Sequence, residues 1–140
     1  MLFPMNDVFQ KIIDRALPAE IVYEDEHTLA FLDAHPVHPG HTLVVPKKFA
    51  RNLLDIDHDS YTAVMETVRT LAPVVRDAVE AEGINVHINN EPAAGQVVFH
   101  FHVHIIPRYS DDGFTHWHGK RPYKDGEAAV VAEKIREHLT

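Results

Sequence analysis

Apolar residues recur along the chain with two different periods, and each change of period marks an element. Val8, Phe9, Ile12, Ile13 and Leu17 fall on one side of a helix, behind Asn6 or Asp7, either of which can cap its first turn. The pattern predicts a helix through about Ala16, ended by Pro18. Two β-type runs follow, over 21–23 and 28–32, separated by the charged turn 24–26. Residues 33–40, with Pro36, Pro39 and Gly40, read as a loop, and 41–45 as a strand stopped by Pro46. Tyr61, Val64, Met65, Val68, Leu71, Ala72, Val75 and Val79 then repeat at helical spacing and predict a long helix over about 59–82. Pro73 lies inside it and should kink it, because proline cannot donate to the Arg69 carbonyl; Gly83 reads as the terminator. Strands are predicted over 84–89 and 97–106, and a last helix over 127–139. The succession favours an α+β fold: an antiparallel sheet of about five strands with the long helix on one face. Residues 1–140 are expected to form one domain, with a C-terminal extension from about 109.

Composition narrows the chemistry. The 140 residues include no cysteine, which removes disulfides and thiolate metal sites and fits a reducing compartment. The start of the chain has no basic segment followed by an apolar run, and no stretch approaches the roughly 20 apolar residues of a membrane span. A cytoplasmic protein with no membrane partner is the expectation. A formal net charge of -8 argues against nucleic acid as a partner. It leaves room for a small anion, which a few local donors can hold. Twelve histidines in such a short chain are the unusual feature, and several fall together.

The cluster reads His100-Phe101-His102-Val103-His104-Ile105-Ile106-Pro107. In a strand, alternate side chains share a face, so His100, His102 and His104 would point one way and Phe101, Val103 and Ile105 into the core. Neighbouring histidines would stand roughly 6.5–7 Å apart, all within reach of one bound group. A neutral imidazole can attack phosphorus while its neighbours move protons. The same face could instead hold zinc, or be a plain polar surface. Upstream, Asn89-Asn90-Glu91-Pro92-Ala93-Ala94-Gly95-Gln96 supplies what an anion needs: Gly95 for a left-handed turn, successive amides to cradle a phosphate, and the neutral donors Asn89 and Gln96. A metal site has no use for that cradle.

The segment 95–108 resembles the motif of the histidine triad (HIT) superfamily, His-φ-His-φ-His-φ-φ with φ apolar. The likeness runs from about Val8 to Arg108, including Ala30-Phe31-Leu32-Asp33 and His41-Thr42-Leu43-Val44-Val45-Pro46-Lys47-Lys48. It looks most like the Hint branch of nucleoside phosphoramidate hydrolases and its bacterial relatives. The resemblance implies a homodimer that acts on purine nucleotides without a cofactor. It implies that His102 is the nucleophile, forming a covalent nucleotidyl-histidine that water then releases. His104 would bind the non-bridging phosphate oxygens, and His100 and His41 would support the triad. Asp33 would take hydrogen bonds from the ribose hydroxyls. Asn89, Gly95, Gln96 and Val97 would lie near the phosphate and leaving group, and Phe9, Ile12, Leu17 and Phe31 would line the base pocket.

The chain departs from the pattern in three places. Val97 stands where many relatives carry serine. Asp7, Gln10 and Phe49 stand where some bacterial relatives hold structural zinc with two cysteines and a histidine, so no metal is expected there. The tail beyond Arg108, with His116-Trp117-His118, has no assigned counterpart. Alternatives to a phosphoramidate hydrolase are a dinucleoside polyphosphate hydrolase, a nucleotide-binding regulator without catalysis, and a metal-dependent enzyme built on the histidine face.

Overall fold

The computed structural model describes residues 7–139. Its elements, in chain order, are α1 (Val8–Ile13), β1 (Ile21–Glu24), β2 (Thr28–Leu32), β3 (Thr42–Pro46), α2 (His58–Ala78), β4 (Gly83–His87), β5 (Val103–Arg108) and α3 (Glu127–His138). The strands form one five-stranded sheet in the order β1-β2-β3-β5-β4, with every neighbouring pair antiparallel. This is the α+β architecture that the periodicity predicted.

Alternation along the central strands builds two apolar layers. One face of the sheet carries Ala30, Val44, Val103 and Ile105, which pack against Val64, Val68, Leu71 and Val75 of α2. The other carries Leu29, Phe31, Leu43 and Val45, which pack against Phe9 and Ile12 of α1. Hence β3 is buried at every position. α3 buries no residue. No helix among the described residues is long and apolar enough to cross a membrane.

Several boundaries differ from the sequence expectation, each for a local reason. Asp7 is the cap of α1, its Oδ1 accepting the Gln10 amide at 3.0 Å, while Asn6 lies outside the described residues. α1 stops at Ile13, because Arg15 turns left-handed (φ 62°) and the Ala16 and Leu17 amides fold back onto the Lys11 carbonyl. α2 runs through Pro73 as expected but stops at Ala78, short of the predicted end at 82. The left-handed residue after α2 is Glu80 (φ 54°), and Gly83 is the first residue of β4 rather than a terminator.

The largest correction concerns β5, which begins at Val103 and not at Val97. The β3–β5 ladder ends at the pair Val44–Val103. Two residues beyond Val44, Pro46 has no amide to donate, and its carbonyl accepts from the His100 ring at 2.9 Å. Residues 97–102 therefore approach the sheet as irregular chain, pinned by the Phe101 amide on the Ala50 carbonyl at 2.8 Å.

Gly40, just before β3, is required by its surroundings. Its φ is +98°, and a Cβ there would stand 2.9 Å from Val79 Cγ1 at the end of α2. Gly40→Ala is expected to cost about 1–3 kcal/mol of stability. A lower urea midpoint with an unchanged slope is the result to look for.

Candidate active site

On the α1 side of the sheet lies an open cleft of about 1040 Å³. Its apolar end is built by Phe9 and Ile12 of α1 with Phe31 of β2 and Leu43 of β3. Its polar end is built by Asp33, Asn89, Gly95, His102 and His104. Sheet and helix therefore supply a slot for a flat apolar group, and the loops around it supply polar atoms.

The loop that enters from 89 to 98 is held by side chains beneath it. Gly95 is left-handed (φ +90°), and Glu91 takes φ 76°, ψ 158°, a region that glycine normally occupies. The Glu91 carboxylate grips the Arg51 guanidinium through two bonds of 2.8 and 2.9 Å, and it accepts from Asn52 Nδ2 at 2.5 Å. These donors hold the Glu91 carboxyl down at about 2. Gln96 is the hub of this clamp. Its Oε1 accepts from the Glu91 amide and from Asn52, and its Nε2 donates to the Arg51 and Val98 carbonyls. The Gln96 side chain thus shapes the loop and does not line the cleft.

The hydrogen bonds of the histidines determine where each proton sits. His102 Nδ1 donates to the His100 carbonyl at 2.6 Å, which leaves the lone pair on Nε2. The Val37 amide donates to His41 Nδ1 at 3.1 Å, so His41 carries its proton on Nε2. That Nε2 is 2.9 Å from His104 Nδ1 and must be the donor, so His104 carries its own proton on Nε2. His104 Nε2 is buried and has no partner among the described residues. The ring of His104 lies 5.0 Å from that of His102 and 4.9 Å from that of His87.

Burial holds these rings neutral. It lowers His102 from the ordinary histidine value, with further lowering by the nearby His100 charge, against partial opposition from the bond to the His100 carbonyl. His104 is pushed down to about 3, chiefly by burial and then by the charges of His102, His87 and His41. His41 is lowered by burial, partly offset by Asp33, whose Oδ2 stands 3.7 Å from His41 Nε2. Asp33, His41 and His104 also bring one ligand atom each within 4.8 Å of one another, a spacing open to a metal ion.

Of the residues that the sequence singled out, Phe9, Ile12, Phe31, Asp33, Asn89, Gly95, Val97, His102 and His104 line the cleft. Val97 stands at its mouth, 82% exposed. Asp33 also has the plainer loop role, its Oδ1 accepting the His35 amide at 2.9 Å. His41 sits behind His104 rather than in the wall. Leu17 is 38% exposed and does not join the lining, because α1 has already ended. His100 is the main departure. It is fully buried, with Nδ1 on Asp7 at 2.9 Å and Nε2 on the Pro46 carbonyl, and so it does not share the cleft with the other two. Asp7 and Leu43 were not anticipated. Alternation from Phe31 and Val45 marks Leu43 as facing α1, but nothing local marks Asp7 as more than a cap.

The HIT domain family matches residues 14–111 of this chain. The chain belongs to the HIT family. Among its HIT relatives, "Protein hit" of Bacillus subtilis is 46% identical over 140 residues, covering 96% of this chain and 94% of its own. Adenylylsulfatase HINT3 of Arabidopsis thaliana is 35% identical over 138 residues, covering 96% of this chain and 70% of its own. The crystal structure of SMU.412c from Streptococcus mutans superposes with a TM-score of 0.92 at 35% identity, covering 99% of this chain and 88% of that one. The HIT match begins after α1 and ends before α3, so both terminal helices lie outside it.

Proposed function

We propose that this HIT protein hydrolyses purine nucleoside 5'-phosphoramidates, or related conjugates of AMP and GMP, through a nucleotidyl group carried on His102. The observation that carries the reading is the pair of proton positions in the cleft wall: a lone pair on His102 Nε2 beside an N–H on His104 Nε2. The first is a nucleophile, and the second is a donor with no partner among the described residues.

The base would enter the slot between Phe9, Ile12 and Phe31, and the ribose hydroxyls would donate to Asp33. His102 Nε2 then attacks the α-phosphorus. The bond to the leaving group breaks, and its electron pair departs on the leaving atom, which takes a proton from water at the mouth beside Val97. The His104 N–H donates to a phosphoryl oxygen as charge builds there. Water next attacks phosphorus on the side opposite the new P–N bond, and its proton passes to the hydroxide left at the mouth when the leaving group was protonated. That bond returns its electrons to His102 Nε2, and the nucleoside monophosphate leaves. His102 Nδ1 stays on the His100 carbonyl throughout, so the ring need not turn.

The metal reading has a specific obstacle. A metal on His41 Nε2 would need the lone pair there, yet the Val37 amide already claims the lone pair of Nδ1. Undiminished turnover after exhaustive chelation is the expected result. Comparing an adenosine phosphoramidate with a diadenosine polyphosphate separates the proposed substrate class from its nearest rival. A protein that turned over neither would be a nucleotide-binding regulator. We place the enzyme in the cytoplasm as a homodimer, a state that sedimentation would check.

Asp33 gives a sharper test of substrate placement. Asp33→Ala should weaken ribonucleotide binding about tenfold, the loss of a hydrogen bond to a charged acceptor. It should change 2′,3′-dideoxy analogues by less than about twofold, as measured by calorimetry. Equal losses for both would remove the ribose role.

A further inference from the structure

His100 is sealed away from the cleft, yet its backbone carbonyl orients His102, and its ring is held by a carboxylate from the other end of the chain. Asp7 is 4% exposed and His100 is fully buried. Asp7 Oδ1 takes the Gln10 amide that starts α1 at 3.0 Å, and Oδ2 stands 2.9 Å from His100 Nδ1. The other ring nitrogen, Nε2, stands 2.9 Å from the Pro46 carbonyl. A carbonyl only accepts, so Nε2 bears a proton. Asp7 Oδ2 and His100 Nδ1 therefore share a hydrogen bond that is sealed from water. Burial pushes the Asp7 carboxyl up, but the His100 bond, the Gln10 and Phe9 amides and the His100 charge together leave it below its ordinary value. That agrees with the ionised form. Next to the pair, the Phe9 ring packs edge-on against the His102 ring with centroids 4.8 Å apart.

We infer that Asp7, through His100, is a positioning residue for the reaction centre: one buried carboxylate–imidazole hydrogen bond ties α1, which carries Phe9 and Ile12 of the cleft wall, to the carbonyl that aims His102. Asp7 touches neither substrate nor the reacting atoms. It fixes His100, and the fixed His100 carbonyl sets the rotation of the His102 ring. This rests on His102 being the nucleophile of the proposed function.

The test is Asp7→Asn. Asparagine caps a helix about as well as aspartate, so α1 keeps its first turn while His100 loses its carboxylate partner. The expected result is a fall in kcat of about ten- to hundredfold, the worth of a hydrogen bond to a charged group. KM should stay within about twofold, because the cleft wall remains. Nitrogen-15 spectra of the native protein should show a ring proton in the Asp7–His100 hydrogen bond that exchanges slowly with solvent, and Asp7→Asn should lose that protection. The native spectrum needs no variant and decides even if Asp7→Asn folds poorly. A native His100 ring with no slowly exchanging proton toward Asp7 overturns the inference, and so does an unchanged kcat or a loss confined to KM. Trapping the nucleotidyl adduct on native His102 checks the underlying reading separately. An adduct with no Asp7→Asn effect overturns this inference alone, whereas no adduct overturns both.

Discussion

His102→Asn is expected to lower turnover of an adenosine phosphoramidate by at least about 10⁴-fold while leaving AMP affinity within about threefold. Asparagine can still donate to the His100 carbonyl from its amide, so the wall of the cleft should stand as it does now. It has no lone pair that can attack phosphorus, so the two-step path is closed. Rapid quenching of the native protein under alkaline conditions, followed by mass spectrometry, should show a nucleotidyl group on residue 102, and the variant should show none. Rates near the native value in His102→Asn would remove the nucleophile assignment.

His104→Ala is expected to cut kcat by about 10²- to 10³-fold, the usual loss when one donor to a developing oxyanion is removed. The adduct should still form, only slowly, which separates this role from that of His102. His41→Ala should cost less than His104→Ala, since it removes the donor that fixes the His104 proton but leaves the ring in place. The double variant should lose little beyond His104→Ala, because both act through one N–H. The pH profile adds a check of sign. Protonation would quench the His102 lone pair, and burial holds His102 and His104 below the ordinary value of 6.5, with His104 at about 3. The rate should therefore stay level from pH 8 to 6.5 and decline only on the acid side of 6.5. An acid limb already falling at pH 7 would contradict this account.

Much of the cleft was readable because it lies on regular strands. Phe31 is set by the alternation of β2, and His104 by that of β5, where one face packs on α2 and the other cannot, while Asp33 lies in the loop just beyond β2 and was singled out by the family resemblance. Alternation failed at His100 but gave His102 its correct side, although both sit outside the ladder. Their directions come from contacts distant in sequence: the Pro46 carbonyl, the Ala50 carbonyl and Asp7. No window of sequence contains both Asp7 and His100. Gln96 was misplaced for a similar reason, since its four hydrogen bonds answer to Glu91 and to the backbone around Arg51. The proton order along Val37, His41 and His104 was hidden as well, because it depends on which lone pair a loop amide happens to claim.

α1 has six residues, and its hold on the sheet comes through Asp7, Phe9 and Ile12. A helix that short owes its order to what it rests on. It is thus an element suited to fray well before the sheet melts, taking one side of the base slot with it. Under the proposed function, nucleotide affinity should then carry the thermal signature of a local melting step, with product departing through fraying of α1 while the strands beneath stay folded.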